Sequence, residues 1–206
     1  MEGADNTRIN IHSGKKIWYV SYCLIFFFLS PAAQAQNEWS LTLKSGVHIP
    51  TEEFDAADLK TGFGLEGTLS YEVTSFLSAY AGWSWNRFAA TQSFAGSDVD
   101  FEETGYTFGV QFQYPATVSR ITYQVSLGGL YNHLEIEDNS GNTIADSGHG
   151  LGTQVETGII IMLNKHFHLT PYGRYRLLPS DFELDHKTTS LDLRYISIGL
   201  GLSYIF

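Results

Sequence analysis

Cysteine is all but missing from this chain: Cys23 is the only one in 206 residues, and it falls inside an amino-terminal apolar run. The chain beyond that run has no thiol for a disulfide or a thiolate metal site, so its stability has to come from the fold alone. Basic residues are scarce too. Twelve Lys and Arg stand against 22 Asp and Glu, a formal net charge of −10. A surface that grips phosphates needs the opposite balance, so no nucleic acid is expected as a partner. Repeated apolar runs of ~20 residues are also lacking, which excludes a helical membrane bundle. What is plentiful is aromatic: 14 Phe, 12 Tyr and 4 Trp, together with 20 Gly. That content excludes disorder.

Arg8, Lys15 and Lys16 precede the apolar run Ile17 to Leu29, which is followed by Ser30-Pro31 and by Ala33-Gln34-Ala35. A cationic start, a short apolar stretch and an A-x-A site are the parts of a secretory signal peptide. Residues 1–35 are therefore expected to be cleaved, leaving 36–206 as a single domain. Cys23 is not placed as a lipoprotein acceptor, because apolar residues continue well beyond it.

Beyond residue 35 the hydrophobic period is 2.0. In the final stretch Ile196, Ile198, Leu200, Leu202, Tyr204 and Phe206 share one face, while Ser197, Gly199, Gly201 and Ser203 share the other. Tyr106, Phe108, Val110, Phe112 and Tyr114 oppose Gly105, Thr107, Gly109, Gln111 and Gln113 in the same way. Eight such stretches are found, at about 39–49, 62–72, 76–88, 101–114, 120–134, 150–163, 167–178 and 191–206. The connections alternate as well. TEEFDAADLK, AATQSFAGSD, EIEDNSGNTIADSG and PSDFELDHKTT are long and polar, whereas the turns around Glu72-Val73-Thr74, Pro115-Ala116-Thr117 and Asn164-Lys165-His166 are short. An even strand number then puts both termini at the short-turn end, the asymmetry of an outer-membrane barrel with periplasmic turns and external loops.

The bulky face cannot fit inside eight strands, whereas Gly, Ser, Thr and Gln can. The predicted fold is therefore all-β, an eight-stranded antiparallel up-and-down transmembrane barrel with its apolar face toward lipid. A soluble lipocalin-like barrel, with the faces exchanged, is the competing arrangement. Trp39, Tyr71, Tyr114 and Phe167 are expected in the aromatic girdle at the terminal end, and Trp83 and Trp85 toward the other. Signal peptide, eight amphipathic strands and the ending Gly201-Leu202-Ser203-Tyr204-Ile205-Phe206 resemble the small outer-membrane β-barrels of the OmpX and OmpA-membrane-domain type. That resemblance implies a Gram-negative, porin-like membrane protein. It also implies an assembly signal at Gly201, Tyr204 and Phe206, read by the barrel assembly machinery, with Gly199 standing where a polar residue is expected.

Alternation places Lys44, Glu66, Glu156, Arg174 and Arg176 inside the lumen, with Glu156 level with Arg174 and Lys44 with Glu66. They form either a charged constriction or a paired network that plugs the barrel and sets its register; the narrow lumen favours the plug. Acidic residues crowd the expected loops: Glu52, Glu53, Asp55 and Asp58; Asp98, Asp100, Glu102 and Glu103; Glu135, Glu137, Asp138 and Asp146; Asp181, Glu183 and Asp185. They suit divalent cations or a cationic external ligand, or solvated loop ends that resist aggregation. Glu137-Asp138-Asn139-Ser140-Gly141-Asn142 lacks the order of a calcium loop. Asp146, Ser147 and His149, and Asp185, His186 and Ser190, raise the alternative of a lipid acyl hydrolase or transferase, but no His-x-Ser pair is present. His166 and His168 without a carboxylate make a weak metal site.

The expected function is a non-enzymatic outer-membrane scaffold whose four acidic external loops carry recognition, with a narrow channel as the alternative and with no cofactor, no catalytic residue and no metal. Lipid and the assembly machinery are its expected partners. Membrane fractions run on gels with and without boiling should show a mobility shift; a freely soluble protein without one would refute the barrel.

Overall fold

A computed structural model describes residues 38–51, 57–93, 96–116, 120–138, 140–184 and 187–206, with backbone alone for 181–184 and 187–191. Eight antiparallel strands close into a barrel: β1 (Trp39–Pro50), β3 (Gly62–Thr74), β4 (Leu77–Ser93), β5 (Gly96–Pro115), β6 (Ile121–Glu137), β8 (Gly150–Met162), β9 (Phe167–Leu184) and β10 (Lys187–Ile205). Each of the eight pairs with its sequence neighbour among them, and β1 meets β10 with Leu43 opposite Leu202 and Lys44 opposite Gly201. Two short strands are added at the loop end: β2 (Ala57–Leu59) pairs with β4, and β7 (Thr143–Asp146) pairs with β6. No helix among the described residues is long and apolar enough to cross a membrane. The expected signal peptide, Glu52, Glu53, Asp55, Asp185 and His186 lie outside the described residues.

The strands run further at the loop end than the expected ranges. The stretch read as 76–88 continues to Ser93, and that read as 101–114 begins at Gly96. β9 reaches Leu184 and β10 starts at Lys187. AATQSFAGSD and PSDFELDHKTT are thus mostly strand, and Asp98, Asp100, Glu135, Glu137 and Asp146 lie on strands instead of in loops.

The physical reason for the extension is a reversal of polarity along the barrel wall. Over the terminal two thirds, large apolar side chains face out; Leu43, Leu65, Phe108, Leu127, Ile198 and Leu200 are exposed. Ten residue steps on β1, from Trp39 to Ile49, at about 3.3 Å each and tilted about 40°, cover about 25 Å, the height of an apolar membrane band. Above it the faces exchange. Phe88, Phe101, Leu134, Ile136, Leu178, Leu193 and Tyr195 are fully buried inside, joined by Val99, Ala90 and Ala57 of β2, while Arg87, Glu102, His133, Glu135 and Arg194 occupy the outward positions. Apolar groups go where water is not, so the wall that faces lipid below faces water above. Gly, Ser, Thr and Gln accordingly line the lumen at the membrane level together with charged residues and two tyrosines, Tyr80 and Tyr172, whereas at the loop end an apolar core fills the barrel.

Glycine decides how two tyrosines fit the lumen. Tyr172 of β9 leans over Gly199 of β10 and Gly46 of β1, which are register partners, and Tyr80 of β4 leans over Gly109 and Gly128, partners on β5 and β6. A Cβ on Gly199 would lie 2.7 Å from the Tyr172 hydroxyl and 2.8 Å from the Gly46 Cα, closer than real contacts allow. This packing accounts for glycine where an assembly signal carries a polar residue. Gly199→Ala should destabilise the refolded barrel by about 1–3 kcal/mol through overpacking and so lower its urea midpoint, whereas Gly173→Ala, with nothing within 4 Å of the new methyl, should leave the midpoint unchanged. Equal midpoints would refute the packing argument.

Candidate functional site: the lumen and its rim

Period-2 alternation on β1, β3, β8 and β9 turns Lys44, Glu66, Glu156, Arg174 and Arg176 inward, and the register gathers them at one level. Lys44 pairs with Glu66 across β1 and β3, and Glu156 with Arg174 across β8 and β9. Arg174 spans the lumen: Nη1 and Nη2 donate to the two oxygens of Glu66 at 2.7 and 2.8 Å, and Nε donates to Glu156 at 2.8 Å. Lys44 Nζ donates to both oxygens of Glu156, at 2.8 and 2.9 Å, and lies 3.5 Å from Glu66. Arg174 and Lys44 also sit over the Tyr172 ring at 5.0 and 5.5 Å. Arg176 bonds Glu66 with one terminal nitrogen and donates to Gln154 from Nε at 2.9 Å.

Sequence reasoning missed a third carboxylate. Glu103, counted with the acidic residues around the second long connection although it lies inside the expected stretch 101–114, is a fully buried lumen residue on β5. It accepts from Asn132 at 2.6 Å and Asn86 at 3.3 Å, accepts the Tyr195 hydroxyl hydrogen, and lies 3.4 Å from Arg176. The signal was available: Glu103 shares parity with the inward Gly105 and Thr107. With Glu103 included, three cations face three carboxylates and the cluster is formally neutral, as enclosed charges in a low dielectric must be.

This network sits between two unlike regions. Toward the loop end the apolar core lies directly above it, with His48 packed against Phe88 and Tyr195 at 5.8 and 5.2 Å. Toward the terminal end a polar vestibule of about 100 Å³ is lined by Glu38, Glu72, Gln111, Gln124, His168 and Thr170, among others. His168 faces that vestibule, while His166 is exposed in the turn, its ring stacked on Tyr204 at 5.7 Å.

The remaining expected residues lie on the outside. Trp39 and Tyr71 are cross-strand partners with rings 4.9 Å apart, Tyr114 is 74% exposed, and Phe167 and Phe206 contact Tyr204 edge-on at 5.3 and 5.2 Å. Gly201 faces inward, next to the Lys44 stem. Trp83 lines up with Tyr106 and Tyr131 on successive strands, one step below the polarity reversal. Trp85 marks the reversal, its indole N–H donating to Glu102 at 2.8 Å.

At the loop end Arg87 bonds Asp100 and lies 3.8 Å from Glu102. Asp138 closes a tight turn: one carboxylate oxygen accepts from the Ser140 and Asn142 amides at 2.8 and 2.9 Å. Those bonds, chiefly from Asn142, hold its carboxyl below the usual range. Ser147 donates to the Gly148 carbonyl and accepts from the Leu134 amide, both at 2.9 Å. His149 stacks on His133 with ring centres 4.6 Å apart.

Comparison with solved structures returns small barrels of the same architecture. Neisserial surface protein A superposes with a TM-score of 0.60 at 13% identity, covering 82% of this chain and 97% of its own. Outer membrane protein W of Escherichia coli gives 0.54 at 14%, covering 82% and 98%. Ail of Yersinia pestis, solved in complex with the heparin analogue sucrose octasulfate, gives 0.51 at 16%, covering 82% and 99%. At these identities the likeness is one of fold. No curated protein matches the sequence. The model of the outer membrane protein beta-barrel domain matches residues 20–206, and the chain, a closed eight-stranded barrel with an apolar outer band, belongs to that outer-membrane family.

Proposed function

We propose that this protein is a closed, non-enzymatic outer-membrane scaffold whose loop end carries recognition, with both termini in the periplasm. The observation that carries the reading is the two-tier filling of the lumen. A solute entering from the vestibule meets a neutral network of six ions, and beyond it a core of fully buried Phe, Leu, Ile and Tyr side chains. Transport would require both tiers to open. The orientation rests on the aromatic carboxy-terminal strand, which suits the barrel assembly machinery on the periplasmic side, and on the strand extensions of the opposite end, which suit an aqueous exterior.

Among the described residues, the state of Ser147, His48 and Ser197 supports a non-catalytic reading. The Ser147 hydroxyl is engaged with backbone on both sides. His48 and Ser197 are 2.8 Å apart, but both are buried in the lumen beneath Phe88 and Tyr195, out of reach of lipid. Ail has been solved with a polyanion; the outward carboxylates here speak instead for a cationic ligand or divalent cations.

Refolded protein in planar bilayers should be electrically silent, and a stable unitary conductance would overturn the closed scaffold in favour of the channel. Arg174→Ala should destabilise the barrel by about 3–5 kcal/mol in urea unfolding, because Glu66 and Glu156 lose their shared partner. Adding Glu156→Gln restores the charge balance and should recover part of the loss; no recovery would mean that charge pairing is not what holds the lumen.

A further inference from the structure

Neither the lumen nor the scaffold reading uses a cluster on the outer surface of β6 and β7. His133 and Glu135 are two apart on β6 and turn to the same side. Asp146 of β7 is the register partner of Glu135. One ligand atom from each of the three lies within 4.8 Å of the others. His133 Nδ1 is 3.2 Å from Asp146 Oδ1 and 3.8 Å from Glu135 Oε1. Donors held tetrahedrally at about 2.0–2.1 Å from one ion are separated by about 3.3 Å, so the three atoms need little movement to share one. The His149 ring stacks on His133 with an interplanar angle of 11° and holds that imidazole in its orientation.

The segment that carries Asp146 is clipped in place. Ser147 N–H donates to the Leu134 carbonyl and the Leu134 N–H donates to Ser147 Oγ, both at 2.9 Å. Gly148, at φ +66°, donates its N–H to Asp146 Oδ1 at 2.8 Å. That bond orients the carboxylate as an outer-shell partner does around a bound ion. Charge on the neighbouring strands points the same way. Asp146, Glu135, Glu102 and Arg87 stand in one cross-strand row over β7, β6, β5 and β4, three carboxylates against one guanidinium that also bonds Asp100. Like charges directly opposite destabilise a sheet, and a dication between Glu135 and Asp146 would relieve that repulsion.

We propose that His133, Glu135 and Asp146 bind one transition-metal dication of the zinc class at the loop end, with the fourth position open to water. Imidazole nitrogen and a small ligand number select such an ion over calcium, which takes six to eight oxygens.

The full chain refolded in detergent should bind one Zn(II) in calorimetry, and Co(II) in its place should show the visible bands of a four-coordinate site. His133→Ala and Asp146→Asn should each weaken Zn(II) binding at least about tenfold, with the heat-dependent gel shift of each variant showing that it is folded. His166→Ala, at the opposite end, should bind as the parent does. A large excess of Ca(II) should leave Zn(II) bound. Absence of binding, binding that survives the His133→Ala/Asp146→Asn double change, or displacement by Ca(II) would each overturn the site; the first would leave His133 and Asp146 as an ordinary ion pair.

Discussion

Arg174 is the member on which the lumen depends. Its guanidinium reaches from β9 across the barrel to Glu66 on β3 and sideways to Glu156 on β8, and Lys44 and Arg176 complete the neutralisation of those two carboxylates. Enclosed between strands, none of these ions can recover its hydration, so each requires the others at bonding distance. A slip of one strand by a single residue would turn its charge out toward lipid. The network therefore ties four walls of the barrel to one register, and Glu103, through Tyr195 and Asn132, ties in β5, β6 and β10.

Around that level the barrel meets two solvents. Lipid demands apolar side chains outside and every backbone group paired, which a closed barrel provides. Water at the loop end demands the reverse. The strands answer by exchanging faces without breaking: Trp83 and Trp85 face out on β4 and are followed by outward Arg87 and inward Phe88, and Tyr106 on β5 is preceded by outward Glu102 and inward Phe101. The same alternation thus serves as a membrane wall and as a soluble barrel, and the core at its upper end seals the polar lumen from outside.

Much of this was legible in the residues. The eight stretches, their antiparallel order, the outward apolar face and the five inward charges all stem from a period of two, because a strand has two faces and large apolar side chains mark one of them. The loop end was not legible by the same rule. Asp98, Asp100, Glu135 and Glu137 look like loop because their density of charge is read as exposure, yet charge on every second residue is what a strand shows when its outer face is wet. Glu103 was lost among them although its parity was correct.

Residue order alone determined which side chains share a face and hence that the chain closes as a membrane barrel, since that information is local and repeats every second position. Which faces meet across the lumen was decided only by closure. The bridge from Arg174 to Glu66, the seating of Tyr172 over Gly46 and Gly199, the apolar seal, and the meeting of His133, Glu135 and Asp146 all join residues far apart in sequence or on different strands. Their distances are set by strand register and barrel circumference, quantities that no single stretch of residues contains.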